Sequence, residues 1–114
     1  MPEPADRLRA HIRTLQVRRR SLESKLLQPQ QMIAATLLER FLGSGSRCRR
    51  SPACYLSRSH QGRSKLNYVK REEVAAVRSQ CEAYHGFREN LKQWRRLDQE
   101  LETLFKGLLQ AQVR

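Results

Sequence analysis

The chain has 114 residues, with 23 Lys and Arg against 11 Asp and Glu, a formal charge of +12. That length allows one small domain or part of an assembly, and 39% hydrophobic with 6% aromatic residues allows only a thin core. No apolar run approaches the roughly 20 residues of a bilayer span, no signal peptide is read at the start, and three cysteines are an odd number for a disulfide scaffold.

A reduced, cytosolic protein is therefore expected. The charge is focused: residues 1 to 39 carry +3, residues 40 to 71 carry +9 with no Asp or Glu, and residues 72 to 114 carry zero. A field of that kind takes a polyanion as its natural partner.

The first helix is predicted from about Ala5 to Gln28. Leu8, Ile12, Leu15, Leu22 and Leu26 recur at heptad steps, with Arg19 breaking the seam once. Pro29 should stop it. Gln30 to Leu42 reads as a second, shorter helix, with Ile33, Leu37 and Phe41 on one side and Gly43 at the cap position. Two short strands follow, Cys54 to Arg58 and Lys65 to Val69, with Gly62 supplying a positive φ in the turn.

From about Arg71 to Leu109 the period is helical again. Glu72 and Glu73 favour its first turn. Val77, Cys81 and Tyr84 form one stripe, and Phe87, Leu91, Trp94, Asp98, Leu101, Phe105 and Leu108 another, with Gly86 between them. The expected fold class is mainly α. It is an antiparallel, coiled-coil-like hairpin of long helices with a short third helix and a small two-stranded β-ribbon. The segments are residues 1–42 (helices), 43–70 (basic loop and ribbon) and 71–114 (long helix), one domain in all.

Leu37-Leu38-Glu39-Arg40-Phe41, Tyr55-Leu56-Ser57-Arg58 and Tyr68-Val69-Lys70-Arg71-Glu72-Glu73-Val74, followed by a long helix, together carry a resemblance. The chain resembles a family of small prokaryotic proteins of unknown function, commonly encoded beside transposases and recombinases, over roughly residues 33 to 109. Gly43-Ser-Gly-Ser-Arg47-Cys48 stands where that family has a three-cysteine knuckle, Cys54 where it has a tyrosine and Lys70 where it has a proline. These departures argue against a family metal site here. The resemblance implies a role with mobile DNA, in a prokaryotic, nucleoid-associated setting.

The basic segment is the strongest functional signal. Arg47, Arg49, Arg50, Arg58, Arg63 and Lys65, flanked by Lys70 and Arg71, suit phosphate contacts that release counterions. Tyr55 and Tyr68 suit stacking on unpaired bases if they face outward. Otherwise both rings serve the core and the charge is a solvated surface. A second cluster, Arg18-Arg19-Arg20, offers further phosphate contacts, or Arg19 pairs with Glu89 or Asp98 of the facing helix.

Cys48, Cys54, Cys81 and His85, with His60 as a further candidate, make a conceivable Cys3His zinc set. The Cys48–Cys54 spacing is loose for a knuckle, however, and Cys81 fits the apolar seam. No cofactor is expected. Cys81 and His85 lack an orienting third group and an oxyanion site, so no catalytic residue is assigned. Leu91, Trp94, Leu101 and Phe105 read as core or interface anchors, and the seam left over would favour a homo-oligomer or docking to a larger enzyme.

The expected function is non-enzymatic nucleic-acid binding, of DNA more than RNA, as an accessory factor to a recombinase or transposase, with no membrane role. The rival is a coiled-coil interaction module whose charge is incidental.

Overall fold

The computed structural model describes residues 3–41 and 52–114, with His60 described by its backbone alone. In chain order it has helix α1 (Pro4–Leu26), strands β1 (Thr36–Arg40), β2 (Ala53–His60) and β3 (Arg63–Val69), a 3₁₀ turn at Arg71–Glu73, and helix α2 (Val74–Gln112). These gather into two compact units, one of Met1–Pro29 with Phe87–Arg114 and one of Gln30–Gly86.

In the first unit, α1 opens with Pro4 at the start of the helix, where a missing amide hydrogen costs nothing, and with Asp6 in its first turn. Ile12 and Leu15 pack with Leu101 in a cluster ringed by Leu97, Leu104 and Leu108. Arg9 bonds Gln112, Arg19 bonds Asp98 at 3.1 Å, and the Trp94 indole donates to Glu23 at 2.9 Å. Partners on α2 fall in number as those on α1 rise, so the two segments run antiparallel. The Arg19 ion pairs, to Asp98 and at 3.6 Å to Glu23, are exposed and worth about 1 kcal/mol at most. The apolar cluster decides the stability of this unit.

The expected class, a long-helix hairpin with a short third helix and a two-stranded ribbon, is overturned. The described residues form two α-helices and a three-stranded antiparallel sheet in the order β1-β2-β3. The residues read as a second helix contain β1, which pairs with β2 from Thr36 opposite Ser57 to Arg40 opposite Ala53. The spacing of Ile33, Leu37 and Phe41 fits a helix, but it also fits a strand, because steps of four are multiples of two. Leu, Glu and Arg are good helix formers, and backbone pairing with β2 outweighs that weak preference. The expected Gly43 cap lies outside the described residues.

The β2–β3 hairpin is longer than expected at both strands. Its two-residue turn is Gln61-Gly62, with φ of 51° and 77°, the signature of a type I′ turn that matches strand twist. A Cβ on Gly62 would meet nothing within 4 Å, so Gly62→Ala tests the backbone alone. It should cost about 1 kcal/mol of stability, read in a thermal melt; an unchanged melt would mean the turn adopts another conformation.

In the second unit one sheet face meets the first turns of α2. Strand alternation puts Leu37, Glu39, Cys54, Leu56 and Val69 on that face. Glu39 bonds Arg78, the Ile33 amide donates to the Gln80 carbonyl at 3.1 Å, and Cys54, Val69 and Cys81 are buried. On α2, Val74, Val77, Cys81 and Tyr84 are the residues of the inward stripe.

Candidate nucleic-acid interface

Only β-structure explains where the cations of the second unit stand. In the hairpin register Arg58 lies directly opposite Lys65, and Arg63 opposite His60. Facing residues of an antiparallel pair hold their Cβ atoms about 5 Å apart, and like charges there are destabilising. Among the described residues, none of Arg58, Arg63, Lys65, Lys70 and Arg71 forms an ion pair with a carboxylate, and all five are exposed. Arg58, Arg63 and Lys65 therefore concentrate uncompensated positive charge at the hairpin end, while Lys70 and Arg71 lie past the opposite end of β3. Arg47, Arg49 and Arg50, expected to act with it, lie outside the described residues.

The other sheet face carries a cross-strand row, Leu38–Tyr55–Tyr68. The two rings meet edge to face, their centroids 5.7 Å apart at 69°. The Arg40 guanidinium sits over the Tyr55 ring at 5.9 Å. Tyr68 keeps 61% of its surface exposed and Leu66, in the next row, 40%. Tyr55 is half-buried. Arg40 was not among the residues singled out by sequence for binding. Read as part of a helix it has no fixed neighbours, whereas on β1 the alternation places it beside Tyr55.

No protein-family model, curated protein or solved structure matches the chain. The resemblance carried by its motifs rests on those residues alone. The structure places Leu37–Arg40 on β1, Tyr55–Arg58 on β2, Tyr68 and Val69 on β3 and Arg71–Glu73 in the 3₁₀ turn, all within the second unit.

Of the zinc candidates, the structure describes the side chains of Cys54, Cys81 and His85. Among the described residues no group of three or more His, Cys, Asp or Glu is placed to hold a metal. Cys54 and Cys81 are buried free thiols, and His85 Nε2 lies 3.1 Å from the Ala35 carbonyl oxygen and 3.5 Å from the Thr36 hydroxyl. Cys48 and the His60 side chain fall outside the described residues.

A pocket of about 230 Å³ opens beside Cys81 and His85, with Glu39, Arg78 and Glu82 around it. Burial pushes the Cys81 thiol up, Arg58 pulls it down and Glu82 adds to the rise, for a net upward shift. A nucleophilic thiol needs the opposite shift. A thiol held neutral in the fold also makes stability fall as pH climbs from the ordinary thiol range to the raised native value.

The expected interface anchors divide. Leu101 is 2% exposed in the core of the first unit, so it is not free to serve an interface. Leu91 is half-buried, and Trp94 is half-buried with its indole on Glu23. Phe105 stands 49% exposed, with Leu109 and Val113 following it at four-residue steps, at 58% and 60%. Among the described residues no helix is long and apolar enough to cross a membrane.

Proposed function

We propose that the chain binds nucleic acid through the basic hairpin of its sheet unit and does no chemistry on it. The observation that carries this reading is the Arg58–Lys65 cross-strand pair, with Arg63 beside it and, among the described residues, no carboxylate partner for any of the three. A like-charge pair costs the hairpin stability, and a phosphate bridging it would relieve that cost while releasing counterions. The motif resemblance adds a proposed setting, an accessory role beside a recombinase or transposase acting on DNA. Fluorescence anisotropy of labelled duplex DNA, single-stranded DNA and structured RNA, titrated between about 50 and 200 mM salt, tests the reading. Binding that weakens steeply with salt is expected. Weak, salt-insensitive binding to all three would remove it.

A second reading is favoured by the exposed Phe105, Leu109 and Val113. At four-residue steps Phe105 and Leu109 share one side of α2, with Val113 just past its end, and self-association would cover them. If so, Phe105→Ser with Leu109→Ser should lower the sedimentation mass of the wild-type species without lowering nucleic-acid affinity per chain. A monomeric wild-type protein would refute this second reading.

A further inference from the structure

We infer that the outer face of the sheet is a stacking platform for an unpaired base, so that the protein prefers single-stranded over duplex nucleic acid. This rests on the nucleic-acid reading above and names its substrate class. Three observations point there.

The first is exposure. Val69, the next residue on the strand, is 5% exposed, yet Tyr68 is 61% exposed. Leu66 and the half-buried Leu38 extend the same face as an apolar strip around it.

The second is preorganisation. Tyr55 is held between Arg40, 5.9 Å from its centroid, and Tyr68, at 5.7 Å. Rings positioned before the ligand arrives lose little freedom on binding, and every base offers a π-face whatever its identity.

The third is shape and charge. Toward the hairpin end this face carries the Ser57–Leu66 row and then Ser59 and Ser64. The serines are short and leave the tyrosines and Leu66 open on that side. Arg40 is the cation of this face, and Arg58, Arg63 and Lys65 belong to the opposite face of the same hairpin. A strand that lays a base on Tyr68 and crosses the β3 edge meets both. In a duplex the base faces are already stacked on one another, so the tyrosines add nothing there and only the phosphate contacts remain. An acidic peptide would satisfy the arginines but would leave the paired rings without a planar partner.

The probes are a labelled oligothymidylate, an abasic oligonucleotide of equal length and a duplex. The abasic strand has the same phosphates and no bases. Wild-type protein should bind the oligothymidylate tightest. Tyr68→Ala should weaken that binding about tenfold, leave the abasic strand and the duplex unchanged, and lower the melting temperature by a few degrees at most, for the lost Tyr55 contact. Tyr68→Phe should retain wild-type affinity, because stacking needs the ring and not the hydroxyl.

Equal oligothymidylate binding by wild type and Tyr68→Ala would overturn the platform. Where neutralising Arg58, Arg63 and Lys65 still weakened all three probes, the nucleic-acid reading would survive without it. No salt-sensitive binding to any probe would overturn both.

Discussion

Replacing Arg58, Arg63 and Lys65 together by glutamine is expected to lower nucleic-acid affinity by about 100-fold at about 0.1 M salt and to flatten the salt dependence. Each phosphate neutralised on a single strand contributes about 0.7 to the slope of log affinity against log salt, which at 0.1 M makes each worth about fivefold. Removing three such cations multiplies to about 100-fold, and the slope should fall by about 2. All three side chains are exposed and, among the described residues, none forms an ion pair with a carboxylate. The substitution should therefore leave the melting temperature unchanged or raise it, by removing the Arg58–Lys65 repulsion. A variant that binds as wild type, measured by the same anisotropy titration, would show that the hairpin charge is incidental.

Leu15→Ala should be the most damaging truncation in the helical unit. Leu15 is 2% exposed and packs in one small cluster with Ile12 and Leu101. Removing a buried leucine side chain costs about 2–5 kcal/mol, because the transfer energy and the cavity both count against the fold. Against a total stability of about 5–15 kcal/mol, the helical circular-dichroism signal should melt at least about 8 °C earlier. Val17→Ala on the same helix, at 65% exposure, should change little. Equal effects of the two substitutions would mean that the Ile12–Leu15–Leu101 cluster does not hold α1 in place.

The two helices were legible in the sequence because each keeps its 3.6-residue period over many turns. The partner of Arg19 was legible too: one position in a leucine seam held a cation, and Asp98, on the facing segment, answers it. The hairpin was legible through Gly62 and the β-rich residues around it. What failed was β1. Five residues are too few for a period to separate strand from helix, and their propensities favour the wrong choice. With β1 missed, the sheet lost its third strand. Arg40 then lost its place over Tyr55, and the outward direction of Tyr68 could only be stated as a condition.

The residues read as core or interface anchors were left undivided for a different reason. Heptad spacing identifies the residues of a seam but not which of them the partner segment covers. Leu101 went to the core and Phe105 stayed outside it.

The most direct test maps backbone amide shifts in the 114-residue chain as oligothymidylate is added. Perturbations are expected to concentrate in Ser57–Tyr68 and at Arg40, with α1 and the Phe87–Gln112 part of α2 unmoved. Perturbations centred on Phe105, Leu109 and Val113, or none anywhere at saturating oligonucleotide, would contradict this expectation.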